Sequence, residues 1–260
     1  MTVVGVAALA ALAVLGLVVG LFLNVVIDRV PAKQPLLRLR SRCPRCPEDA
    51  ADARGLPISA WLKPGGRCPA CGNRLPIRFL LVSVGNAALF AAAGVRFGAD
   101  WALPAYLVFF AALLAITVID FQLQIIPNRV VYPAIFASLP LLAIAGLAQH
   151  DLSRLSRALI GAALAWLALL VIHLVSPGGM GFGDVRLSFL LGLFLSWLSY
   201  GHVITGIFLG FLLGAVIGLL LVAFRLRART DHVPFGPFLA VGAGFTVLAG
   251  GPVVRMLIAS

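Results

Sequence analysis

Apolar runs of about 20 residues recur along this chain, each long enough to cross ~30 Å of hydrocarbon as a helix. No water reaches a backbone group inside a bilayer, so such runs must satisfy their own N–H and C=O groups, which helices do. Eight runs are read, near residues 2–27, 79–97, 101–119, 130–149, 157–176, 186–200, 202–224 and 235–258. The last ones lie close together, with Tyr200-Gly201-His202 as a thin divider. A hydrophobic content of 62% and a mean hydropathy of +1.07 exclude an ordinary soluble domain. The expected fold is all-α and polytopic. Its helices are expected to meet through small residues, which the 27 glycines supply. The first run carries no positive flank before it and no small-residue cleavage site after it, and it outruns an h-region of about 7–15 residues. It is therefore expected to be a membrane span rather than a cleavable signal.

The net charge of +11 raises nucleic acid as a partner, but the placement of the charge argues against it. Eleven of the twenty Lys and Arg residues fall between Arg29 and Arg78, in the one long polar segment. Three more cluster at Arg225, Arg227 and Arg229, where they read as topology determinants touching lipid headgroups. Placing the 28–78 segment in the cytoplasm, with the N-terminus outside, puts sixteen basic residues inside and four outside. That bias is the positive-inside pattern. It predicts a multi-pass protein of the cytoplasmic (inner) membrane, in contact with lipid and not with nucleic acid.

Within the polar segment stand Cys43-Pro-Arg-Cys46 and Cys68-Pro-Ala-Cys71, two C-x-x-C turns separated by 21 residues. Each turn aims two sulfurs at one point, and two facing turns make a tetrahedral four-thiolate zinc site. Four protein ligands leave no open position, so the expected Zn2+ is structural. Disulfides and free thiols are the alternatives. Disulfides rarely persist in the cytoplasm. A loop this short needs such a staple to hold a fold of its own.

The chain has nine acidic residues, and two of them border apolar runs. Asp120 ends AYLVFFAALLAITVID, and Asp184 opens GDVRLSFLLGLFL. A carboxylate at the edge of the hydrocarbon is costly and needs a partner or a task. Taken singly, Asp184 reads as a helix N-cap, and Asp120 as a snorkelling group or a partner of Arg129. Taken together, both fall at the predicted cytoplasmic face. Two carboxylates brought close in a partly dry site do not both ionise easily and share a proton. The ionised one can take a proton from water, and the protonated one can hydrogen-bond a scissile carbonyl. Gly181 and Gly183, with their neighbours, carry no side chain to obstruct an extended peptide. The four histidines are scattered, and no serine stands in a nucleophile-elbow motif.

Five segments, in this order, resemble the bacterial type IV prepilin peptidases, membrane aspartic proteases of the G-x-G-D class. Gly20-Leu-Phe-Leu-Asn24-Val-Val-Ile-Asp-Arg29-Val-Pro31 is similar to the family's first-helix signature. The cysteine pairs resemble its zinc-binding loop. Ile119-Asp120 followed by Ile126-Pro127-Asn128 is similar to the first catalytic segment, and Gly181-Phe-Gly183-Asp184-Val-Arg186-Leu to the second, with Arg186 where lysine is common. Pro234-Phe-Gly-Pro237-Phe-Leu resembles a late motif.

The resemblance implies that Asp120 and Asp184 are the catalytic dyad, with Gly181, Gly183 and Pro127 in the active-site loops and Cys43, Cys46, Cys68 and Cys71 on zinc. It implies a substrate too: the N-terminal leader of prepilins or pseudopilins, cut beside their hydrophobic helix. Many members also methylate the new N-terminus from S-adenosylmethionine. Where the family shows a glutamate after the second knuckle, this chain has Ser83, which leaves methyl transfer open. The domain reading is a first transmembrane helix at 1–27, a cytoplasmic zinc-binding loop at 28–78, and a transmembrane aspartic peptidase core at 79–260. The rival readings are an ion-coupled membrane transporter and a non-catalytic membrane scaffold with a zinc-stapled loop.

Overall fold

A computed structural model describes residues 5–34, 77–176, 180–224 and 234–258, the last nine as backbone only. They form eight helices: α1 (Val6–Arg29), α2 (Ile77–Phe97), α3 (Leu103–Leu123), α4 (Asn128–Ala148), α5 (Ser153–Val175), α6 (Phe182–Leu198), α7 (Tyr200–Ala223) and α8 (Gly236–Ile258). Six of them, all but α6 and α8, are long and apolar enough by length and composition to cross a bilayer. The chain is an all-helical, polytopic membrane protein, as the apolar runs predict. The four cysteines lie outside the described residues. The contacts divide the chain into two compact units, Val3–Val95 and Arg96–Ser260.

The first unit is the antiparallel pair of α1 and α2. Between two helices in lipid there is no hydrophobic drive, so close backbone packing and polar bonds must hold them. Both are present. Gly16 and Gly20 are one turn apart on α1, and a Cβ added to either would stand 2.7 Å from Ala87 Cα or 2.6 Å from Ser83 Cα. Polar side chains line the same seam. Asn86 Nδ2 donates to Gly16 O at 2.7 Å. Asn24 Nδ2 lies 2.9 Å from Gly20 O, 3.2 Å from Phe79 O and 3.2 Å from Ser83 Oγ. Ser83 Oγ donates in turn to Phe79 O at 3.0 Å. Arg78 pairs with Asp28 where α1 ends and α2 begins.

The second unit is built around α6. Twelve of its 17 residues are buried, on every face, which marks a central helix rather than a lipid-facing one. It packs against α3, α4, α5, α7 and α8. Small residues again set the approach. A Cβ at Gly192 would stand 2.8 Å from Ala162 Cα on α5. At the far end of α6, Arg157 Nε and Nη2 donate to the Ser196 and Trp197 carbonyls at 2.9 and 2.7 Å. These are the orphan carbonyls of a helix C-terminus, and a cation suits them. Tyr106, near the start of α3, is fully buried and donates its Oη proton to Phe194 O at 2.9 Å. Its ring meets Phe194 edge-on at 5.1 Å. Since Tyr106 begins α3 and Phe194 ends α6, the two helices run antiparallel.

Two boundaries differ from the sequence reading. The third helix does not stop near residue 119 but runs to Leu123, so Asp120 lies inside its last turn. Apolar patterning fades at the first carboxylate, while helical hydrogen bonding carries on. The divider between the sixth and seventh helices is Ser199, not Tyr200-Gly201-His202. Ser199 is extended (φ −172°, ψ 164°) and its hydroxyl accepts from the His202 backbone N–H, an N-cap that starts α7 at Tyr200.

Gly20→Val is expected to destabilise the α1–α2 pair by about 3 kcal/mol, because the new carbons meet backbone that cannot rotate away. Gly85→Ala, whose Cβ meets nothing within 4 Å, is the control, and thermal unfolding in detergent compares the two. Tyr106→Phe is expected to cost about 1–2 kcal/mol in the same assay, by leaving the Phe194 carbonyl without its side-chain donor.

Candidate active site

The site is assembled from three helix ends of the second unit. The last turn of α3 carries Asp120. The chain then leaves the helix through Gln124, which is left-handed (φ 54°), and its N–H closes on Asp120 O at 2.9 Å. Ile125, Ile126 and Pro127 follow outside any helix. Pro127 is extended (φ −76°, ψ 129°) and is the N-cap of α4. Proline suits a position where a donor is dispensable.

Asp184 lies in the first turn of α6. It is not the N-cap, as the simplest reading of Gly-Phe-Gly-Asp suggests. Gly181 is the N-cap, in an extended conformation (φ −70°, ψ 145°). Asp184 stands three residues further on, where an acidic side chain can turn back toward the cap. A Cβ at Gly181 would lie 3.4 Å from Asp184 Oδ2. The Phe-Gly step between them places Gly183 against the α3–α4 loop. There, a Cβ would meet Ile126 Cβ at 2.9 Å.

The third element is the start of α8. The Gly236 backbone N–H donates to Asp120 Oδ2 at 3.1 Å. A Cβ at Gly236 would stand 2.8 Å from that oxygen and 3.0 Å from Ile126 Cδ1. Ile126 thus touches the glycine beside Asp184 and the glycine that bonds Asp120. Through these contacts the two carboxylates are placed at one end of the bundle. Among the described residues, Asp120 and Arg129 form no ion pair; a helix N-terminus takes that place.

Both carboxylates are enclosed: Asp120 is 4% exposed and Asp184 6%. Asp184 Oδ1 is buried without a hydrogen-bond partner. An orphaned buried carboxylate oxygen is costly and calls for an explanation. Around the pair, side chains fix the helix ends. Arg186 Nη1 donates to Asn128 Oδ1, joining the start of α6 to the start of α4. Its guanidinium also stacks over the Phe182 ring, 4.5 Å from the centroid. Arginine can do both at once where lysine cannot. His173 of α5 lies 2.8 Å from the Met180 carbonyl, just ahead of Gly181.

The structure therefore brings Asp120, Asp184, Gly181, Gly183 and Pro127 into one region. Gly236, Ile126, and the Arg186–Asn128 bridge complete it. Sequence reasoning flagged the segment around Gly236 without a role; its signal was a glycine followed by Pro237 ahead of an apolar run, a helix-start pattern. Nothing in the sequence marks Ile126 as the residue that packs against both Gly183 and Gly236. Among the described residues no group of three or more His, Cys, Asp or Glu could hold a metal.

Residues 14–97 match the bacterial peptidase A24 N-terminal domain, and residues 107–222 match the type IV leader peptidase family. The chain is 33% identical to the prepilin leader peptidase/N-methyltransferase of Bacillus subtilis strain 168, over 96% of this chain and 98% of that protein. It is 29% identical to the protein of the same name from Pseudomonas aeruginosa, over 93% of this chain and 90% of that one. The Myxococcus xanthus relative is 36% identical over 86% of this chain and 67% of its own length. No solved structure matches the chain. With a near full-length relative at this identity and both family segments in order, the chain belongs to the type IV leader peptidase family.

Proposed function

We propose that this protein is an aspartic endopeptidase that removes the N-terminal leader from prepilin-like proteins, with Asp120 and Asp184 as the catalytic pair. The observation that carries the reading is the placement of two buried carboxylates, 64 positions apart in sequence, at one end of an apolar bundle. Family membership supports it, as do the relatives' names.

The chemistry needs no covalent intermediate. Water lies between the carboxylates and gives a proton to the ionised one while its oxygen adds to the scissile carbonyl carbon. The protonated carboxyl donates to the carbonyl oxygen as negative charge grows there. The tetrahedral carbon then releases the amine, which leaves with a proton from the pair, and the C–N bond breaks. Gly236 N–H holds the Asp120 carboxylate in one orientation throughout. Gly181, beside Asp184, carries no side chain to crowd an extended peptide, while the space at Gly183 is taken by Ile126. Pro127 sets the exit angle of the loop after Asp120.

The positive-inside bias supports placing the dyad end of the bundle in the cytoplasm of a cell whose inner membrane holds the protein. A prepilin helix lying in the bilayer then presents its leader junction at that depth. The spacing of Cys43, Cys46, Cys68 and Cys71 supports a structural Zn2+ in the adjoining loop, with no part in hydrolysis. The relatives' names support a second step, N-methylation with S-adenosylmethionine as donor. Ser83 supplies no carboxylate for it, and its hydroxyl is engaged by Phe79 and Asn24. The transporter reading wants carboxylates near mid-bilayer on broken helices. Asp120 and Asp184 stand instead in the last and first turns of continuous helices.

Mass spectrometry of a co-expressed prepilin tests both steps: leader loss reports hydrolysis, and a further methyl mass reports transfer. Asp120→Asn and Asp184→Asn are each expected to lower cleavage by about a thousandfold or more while the protein still inserts. Undiminished processing in either variant would reject the dyad. Gly236→Ala crowds the Asp120 carboxylate and is expected to slow cleavage by about tenfold or more, a loss of pre-organised geometry.

A further inference from the structure

The two aspartates are closed off, yet hydrolysis requires a water and a peptide carbonyl between them. The side chain packed against the glycines that flank both aspartates is Ile126. Along its loop, every residue from Phe121 to Ile125 is exposed, whereas Ile126 and Pro127 are half-buried. Its Cβ and Cδ1 fill the spaces that Gly183 and Gly236 leave by lacking side chains. Either glycine with a Cβ would collide with it.

We propose that Ile126 is a gate: it plugs the approach to the aspartate pair, and the 124–127 loop swings it aside to admit water and substrate. The inference rests on the peptidase reading above. The loop has the construction of a hinge. Its backbone lies outside both flanking helices from Gln124 to Pro127. At one end, Gln124 holds a left-handed φ of 54°, a conformation that non-glycine residues adopt only when their surroundings enforce it. At the other end, Pro127 has a fixed φ, and just beyond it Asn128 is tied to Arg186. The start of α4 therefore stays with α6 while the segment between can move. Ile125, exposed at 46%, offers little resistance on the outer side. The plug also has a protective use, since it keeps water from the pair until a peptide displaces it.

The test reads carboxylate accessibility rather than cleavage, so it is independent of the peptidase reading. Full-length protein in detergent is treated with dicyclohexylcarbodiimide, which modifies carboxyl groups in apolar surroundings. Peptide mass spectrometry follows labelling at Asp120 and Asp184, with Asp100 as the internal reference. Ile126→Ala is expected to label about tenfold faster than wild type at the pair and unchanged at Asp100. Ile126→Val, which removes one methyl group and keeps the fold, is expected to label about twofold faster. Ile126→Trp is expected to label more slowly than wild type. Equal labelling rates in wild type and the Val and Ala variants would overturn the gate. Failure of the peptidase reading would instead appear as undiminished prepilin cleavage in the Asp→Asn variants, whatever the labelling rates.

Discussion

One hydrogen bond gathers the site: Gly236 N–H to Asp120 Oδ2, across 116 residues of sequence. A carboxylate buried in an apolar bundle must be compensated or it will not stay there. The compensation here is the N-terminus of α8, a helix that also lies close to α7. That closeness is a matter of glycines. A Cβ at Gly242 would stand 2.5 Å from Gly210 N and 2.6 Å from Gly206 O, and one at Gly210 would meet Leu239 Cα at 2.8 Å. The polar chemistry at one end of the bundle thus depends on side chains that are missing further along it.

The same economy recurs wherever helices meet. Gly16 and Gly20 seat α1 on α2, and Gly192 seats α6 on α5. In lipid, contact distance and polar bonding do the work that burial from water does elsewhere. Asn24, Asn86 and Ser83 supply the polar bonds of the first unit, while Tyr106 and Arg157 fix α6 in the second. The lipid side of the second unit is left to residues such as Ile204, Phe208 and Leu219 of α7, which are exposed on the protein and suited to acyl chains. Inside the aspartate end, the fit is tight enough that a single aliphatic side chain, Ile126, fills the room between two helix starts.

Much of this was legible in the chain. Length and hydropathy of the runs marked the helices, because a backbone in hydrocarbon has few other options. Both aspartates stood out because charge is rare and costly there. The Gly-Phe-Gly-Asp segment announced a helix start, though which residue capped it was misread. The cap went to Gly181 because an extended glycine can lead the chain in, and Asp184 then falls one turn inside. The end of α3 was placed too early because patterning stops at Asp120 while the ladder of backbone bonds continues to Gln124.

The sequence alone determined that the chain is a bundle of membrane helices, which residues are chemically conspicuous, and which family motifs it carries. Those are local properties, fixed by solvation and by spacing along the chain. Only the tertiary structure decided that Asp120 is met by the first amide of α8, that Arg186 bridges to Asn128, and that Ile126 packs against both Gly183 and Gly236. Such contacts join segments tens of residues apart. They depend on interhelical distances of a few ångströms, set jointly by every small residue along the seams.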